Sequence, residues 1–151
     1  MTLLAKGTWI LAMDEEKAIL IENGGTVDTP RLHEVERMEA VPPAPYSDRP
    51  GRTYDSGKQQ KSAMEQPDLD RIMGERLAAE VVAHLRKVAG DRPLVIAAPP
   101  HLLGAVRAEL ERQSALTGPE KLNIICMLDK TLTGMPLAKL PPILQAALDR
   151  S

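Results

Sequence analysis

The apolar run at residues 93–98, Pro93-Leu94-Val95-Ile96-Ala97-Ala98, constrains the fold more than any other stretch of the chain. Its lack of polar alternation is typical of a strand buried on both faces of a sheet. A helix is predicted on either side of it, at about 66–89 and directly after Pro99-Pro100. The apolar positions that carry these two helical patterns are Met73, Leu77, Val81, Leu85 and Val88, and then Leu102, Leu103, Val106 and Leu110. A strand between two helices favours a sheet with a parallel component.

Three shorter runs precede this part of the chain. Residues 8–13 and 17–22 are β-compatible and flank the turn Asp14-Glu15-Glu16, so they predict a hairpin. Asn23-Gly24-Gly25 then fits a second turn with positive φ. Residues 31–38 alternate polar and apolar side chains, as a half-buried strand does. Three antiparallel strands are therefore expected to open the fold.

The carboxyl-terminal third completes the pattern. Residues 122–128 predict a further strand, and residues 137–148 a helical tail interrupted by Pro141-Pro142. The order β-β-β-α-β-α-β-α describes an α/β fold with a mixed five-stranded sheet, three antiparallel strands and then parallel ones, flanked by helices in the ribonuclease-H-like manner. We expect one domain over residues 1–151, with a long proline- and glycine-rich loop at about 40–61.

Composition excludes several classes of function. Phenylalanine is absent and the only aromatic residues are Trp9, Tyr46 and Tyr54, so a base-stacking platform would lack rings. The net charge of -2 argues against binding nucleic acid through overall charge. Cys126 is the one cysteine and lies in an apolar run, which fits core packing in a reducing compartment. With neither a signal-like start nor a long apolar run, the sequence predicts no membrane partner and a cytoplasmic location.

The loop contains the main candidate binding residues. Between residues 48 and 61, Arg49, Arg52, Lys58 and Lys61 outnumber the acidic residues. These cations could contact phosphates, or they could belong to a solvated loop. Asp48-Arg49-Pro50-Gly51-Arg52 could instead form an internal lock, in which Asp48 accepts from Arg52 or a backbone amide and Pro50 stiffens the turn. Asp48, Pro50, Gly51 and Gly57 are the residues expected to shape the loop.

Other potential catalytic or metal-binding groups favour structural roles. His33, His84 and His101 are far apart and none has metal-ligand spacing, so neither a metal site nor a cofactor is predicted. His84 and His101 are interpreted as partly buried packing histidines. Glu15 and Glu16 are interpreted as solvated turn charges. The stretch after residue 98 follows a parallel-type strand, where open α/β sheets place ligand crevices, but it lacks a glycine-rich phosphate loop.

Several strings in order along the chain resemble the bacterial host-attachment protein family. They are Thr8-Trp9-Ile10-Leu11, Asp48-Arg49-Pro50-Gly51-Arg52, Ser62-Ala63-Met64-Glu65, Ala97-Ala98-Pro99-Pro100 with Leu103-Gly104, and Asp129-Lys130-Thr131-Leu132-Thr133. That family is similar to the central domain of archaeal and eukaryotic class I release factors. There a Gly-Gly-Gln loop precedes a long helix and orients water to hydrolyse peptidyl-tRNA.

The corresponding stretch departs from that motif. It reads Ser56-Gly57-Lys58-Gln59-Gln60-Lys61-Ser62, so Gly57 is the only glycine beside the two glutamines. Gln59 and Gln60 are candidates for contact with RNA or a partner, together with the nearby lysines, and weak candidates for catalytic residues. Whether the protein is an enzyme is left open, with a non-enzymatic role favoured.

Three functions follow from the resemblance. The leading interpretation is a protein that binds a ribosomal or RNA surface, such as ribosomal or transfer RNA, through residues 48–61. The second is a hydrolase of peptidyl-tRNA or RNA with a degenerate loop, and the third is an interaction module that affects attachment to host cells. The sequence does not determine whether the protein forms a homo-oligomer.

Overall fold

The structure is a computed structural model that describes residues 2–41, 56–119 and 122–150, with only the backbone of residues 56–68. A five-stranded sheet in the order β3-β2-β1-β4-β5 forms its centre, which confirms the predicted fold class. The elements along the chain are β1 Trp9–Met13, β2 Lys17–Asn23, β3 Leu32–Glu39, α1 Ser56–Val88, β4 Pro93–Ala97, α2 Pro100–Thr117, β5 Asn123–Leu128 and α3 Leu140–Arg150.

The sheet is antiparallel on one side and parallel on the other. Strands β1 and β2 form the predicted hairpin, and β2 pairs antiparallel with β3. Strand β4 lies parallel to both β1 and β5. Register shifts interrupt the ladders between β2 and β3 and between β4 and β5. Strands β1, β4 and β5 therefore run in one direction and end at one edge of the sheet, which we call the carboxyl edge.

Two hydrophobic layers enclose the sheet. Helices α1 and α2 cover one face through residues such as Leu77, Val81 and Val106, which pack with Leu11 and Ile96. Helix α3 covers the other face, where its leucines pack against alternate positions of β1 and β4. Every residue of β1 is buried, and so are the four residues that follow Pro93 in β4. The prediction that the 93–98 run is buried on both faces is confirmed.

Helix α1 begins earlier than predicted. It extends from Ser56 to Val88, whereas the sequence predicted a loop to residue 61 and a helix from about 66. The capping-box spacing at Ser62 and the proline at position 67 suggested a helix start, but both lie inside the helix. Residues 58–66 are mostly lysine, glutamine, alanine, methionine and glutamate, which have high helix propensity, and this accounts for the earlier start. The remainder of the predicted loop, residues 42–55, lies outside the described residues.

The turn at Asn23-Gly24-Gly25 also differs from its prediction. Neither glycine has positive φ. The turn is instead built around the buried Asn23 side chain, whose Oδ1 accepts hydrogen bonds from the Gly25 and Arg31 amides at 2.9 Å each. Its Nδ2 donates to the Leu4 carbonyl at 3.0 Å. Gly25 is needed for space, because a Cβ there would overlap the Thr29 carbonyl oxygen.

The tail of the chain forms one helix after a short 3-10 turn at Leu137–Lys139. Pro141 and Pro142 do not interrupt it, because they occupy the first turn of α3, where a missing N–H costs no helical hydrogen bond. Cys126 is partly buried against this helix, with its Sγ 3.9 Å from the Ala147 carbonyl oxygen, as a packing role requires. Among the described helices, none is long and apolar enough to cross a membrane.

Candidate functional site

The carboxyl edge contains a topological switch point. From β1 the chain turns to β2 on one side, whereas from β4 it crosses through α2 to β5 on the other. In open α/β sheets the crevice outside the strand ends at such a point is the usual place for a ligand. The described polar residues at this edge include residues of the turn after β1, the first turn of α2 and the loop after β5.

Asp14 connects the turn after β1 to the loop after β5. Its Oδ2 accepts a hydrogen bond of 2.6 Å from the Thr133 hydroxyl, and its Oδ1 accepts from the Glu16 and Lys17 amides at 2.7 and 2.9 Å. Partial burial raises the pKa of Asp14, but these hydrogen bonds and the nearby Lys17 ammonium together lower it below its ordinary value. Asp14 is therefore kept as a carboxylate, and its hydrogen bonds connect the turn after β1 to the loop after β5.

Glu15 forms a second link at the same edge. Its Oε2 lies 2.6 Å from Nε2 of His101, in the first turn of α2. The His101 side chain is 58% exposed, so the prediction that it is a partly buried packing residue is wrong: it lies at the start of α2, on the solvent side of the edge. His84 fits that prediction better, because it is half-buried with its Nε2 2.8 Å from Glu36 Oε2.

These groups could act in proton transfer, since an exposed imidazole lies against a carboxylate. Within the described parts of the chain, no three His, Cys, Asp or Glu residues converge as metal ligands would. The sequence did not reveal either link: Asp14 and Thr133 are separated by 119 residues. The one sequence signal for Thr133 is its place in Asp129-Lys130-Thr131-Leu132-Thr133, a string in which the chain resembles the family.

The predicted binding and loop-shaping residues fall in two places. Asp48, Arg49, Pro50, Gly51 and Arg52 lie outside the described residues. Residues 57–61, which contain Gly57, Lys58, Gln59, Gln60 and Lys61, lie in the first two turns of α1.

The direction of α1 decides where those two turns lie. The helix connects β3 to β4, which are both parallel to β1, so it starts at the carboxyl edge and runs back along the sheet. Gly74 is its first buried residue among the described side chains, and it contacts Leu102 in the first turn of α2. At about 1.5 Å per residue, roughly 27 Å of helix precede Gly74. Residues 57–61 therefore lie roughly 20 Å or more along the helix from Gly74.

Comparison with known proteins agrees with this architecture. The family model of bacterial archaeo-eukaryotic release factor family 12 matches residues 7–141, from just before β1 to the first turn of α3. No curated protein and no solved structure matches significantly. The match confirms the resemblance to the release-factor domain that the strings along the chain indicated. The chain therefore belongs to bacterial archaeo-eukaryotic release factor family 12.

Proposed function

We propose that this protein acts in translation by binding ribosomal or transfer RNA through residues 48–61. The observation that carries the proposal is that this basic segment ends within the first two turns of a 33-residue helix. Arg49, Arg52, Lys58 and Lys61 supply the positive charge. The chain's net charge of -2 makes a localised contact more favourable than one over the whole surface.

The amino end of α1 adds to this local attraction. The first backbone N–H groups of a helix have no partner within it, and the helix dipole places partial positive charge there. Phosphate groups bind such ends readily. Lys58 and Lys61 lie within the first two turns, so the helix dipole and these two positive charges would act on the same phosphates.

We further propose that the protein binds without hydrolysing peptidyl-tRNA by the Gly-Gly-Gln mechanism. Gln59 and Gln60 lie in helical backbone, with one glycine, Gly57, before them. Backbone closed into a helix cannot approach an ester in the way that two consecutive glycines in a loop allow. A peptidyl-tRNA release assay tests this part, and turnover that is lost in a Gln59→Ala, Gln60→Ala variant would establish the hydrolase alternative.

Co-sedimentation with ribosomes at low and moderate salt tests RNA binding. The intact protein is expected to sediment with ribosomes, with affinity that falls as salt rises. A variant with Arg49→Glu, Arg52→Glu and Lys58→Glu is expected to lose this binding while keeping its circular dichroism spectrum. The matched control is a variant with Lys6→Glu, Arg107→Glu and Lys139→Glu, which reverses three cations that are exposed elsewhere in the structure.

Each outcome has a clear meaning. Binding that is lost in the first variant and retained in the control supports residues 48–61 as the contact. Equal loss in both variants would indicate attraction to overall charge, and absence of binding by the intact protein would overturn the ribosomal proposal.

A further inference from the structure

The two outermost strands of the sheet, β3 and β5, differ in the charge that they carry. At one edge, β3 presents five titratable side chains among its eight residues: His33, Glu34, Glu36, Arg37 and Glu39. At the other edge, β5 has the sequence Asn-Ile-Ile-Cys-Met-Leu and no charge. Edge strands that avoid pairing with other chains commonly carry charged side chains. Strand β3 has this protection, whereas β5 does not.

No strand pairs with the outer side of β5 in the described part of the chain. Strand β5 is last in the sheet order and pairs only with β4 there. Four of its six residues, from Ile124 to Met127, are partly rather than fully buried, although they pack against the two hydrophobic layers. An unpaired edge leaves backbone N–H and C=O groups that another extended strand can satisfy.

We propose that two copies of the protein pair through β5, antiparallel about a two-fold axis, so that one sheet continues through both. Charge permits such self-pairing at β5 and disfavours it at β3. Two β5 strands bring no like charges together, whereas two β3 strands would each present three glutamates against one arginine. The interface is isologous, so each copy supplies the same donors and acceptors. This inference does not depend on the proposed RNA contact.

Sedimentation velocity over a wide range of protein concentration tests the pairing. The intact protein is expected to form dimers whose fraction rises with concentration. Ile125→Lys places like charges near the two-fold axis and is expected to weaken dimerisation by at least about tenfold. Its lysine stem can still cover the partly exposed site while the ammonium reaches water. Val35→Lys makes a similar change on the already charged β3 edge, where Val35 is 42% exposed, and should dimerise like the intact protein.

The design separates loss of pairing from loss of folding. Circular dichroism checks both lysine variants, and Met127→Lys provides a second test on the same strand if Ile125→Lys unfolds. An intact protein that remains monomeric at all concentrations would overturn the proposal and leave β5 open to a peptide strand from another protein. Dimers that persist in folded β5 variants would also overturn it, because their interface would lie elsewhere.

Discussion

Asp14 illustrates how one side chain can join distant parts of this chain. Its two oxygens accept three hydrogen bonds, from residues on both sides of the switch point. Because the pKa of Asp14 is lowered in the folded protein, its ionised form stabilises the fold. That contribution is fully present above the unfolded pKa and is lost as pH falls through the lowered folded value. The Thr133 hydroxyl should therefore matter most when Asp14 is charged.

We expect Thr133→Val to lower the free energy of unfolding by about 1.5 kcal/mol at pH 7, the usual contribution of a hydrogen bond to a charged group. The deficit should shrink as pH falls below the ordinary aspartate value of 3.8. Urea unfolding at a series of pH values measures it. Thr131→Val changes an exposed threonine two residues away and should have little effect. A deficit that stays constant with pH would show that the hydroxyl does not act through the Asp14 charge.

Helices α1 and α2 meet at a glycine that the sequence gives little reason to notice. Gly74 lies inside α1, where alanine would ordinarily be favoured by about 1 kcal/mol. A Cβ at this position would lie 2.6 Å from Leu102 Cδ2, closer than packed carbon atoms approach. Leu102 is itself fully buried in the first turn of α2, so it has little room to move. Close packing therefore outweighs helix propensity here.

We expect Gly74→Ala to destabilise the protein by about 1–3 kcal/mol, the usual cost of overpacking. Gly104→Ala provides the matched control. Gly104 also lies inside a helix, but it is exposed and a Cβ there would meet nothing within 4 Å. That variant should gain about 0.5–1 kcal/mol from propensity. Thermal unfolding of both proteins measures the difference, and a stabilising effect at both positions would contradict the close α1–α2 contact.

At the scale of the whole molecule, periodicity predicted the elements better than their limits or their contacts. The unbroken apolar run of β4 and the helical spacing around it identified the central strand and its flanking helices, and hence the fold class. The start of α1 was predicted too late, because Ser62 and Pro67 look like a helix start in a local window. The Glu15–His101 and Asp14–Thr133 pairs join residues that are distant in sequence, and only the strand order brings them to one edge.

The sheet also makes the two hydrophobic layers depend on each other. Trp9 and Ile10 are neighbours in β1, yet Trp9 packs in the α1–α2 layer and Ile10 in the α3 layer. Because β1 and β4 belong to both layers, neither layer can lose its packing without exposing the strands of the other. We therefore expect one cooperative unfolding transition in the described fold.

Leu144→Ala tests this coupling from the side opposite Trp9. Leu144 is fully buried in α3, and its truncation should cost about 2–5 kcal/mol. Trp9 is the only tryptophan and is 7% exposed, so its fluorescence reports on the α1–α2 layer. In urea, fluorescence and circular dichroism midpoints should shift together, whereas Leu116→Ala, at a leucine 69% exposed, should leave both nearly unchanged. A circular dichroism transition that moves while Trp9 fluorescence does not would mean that the α3 layer unfolds independently.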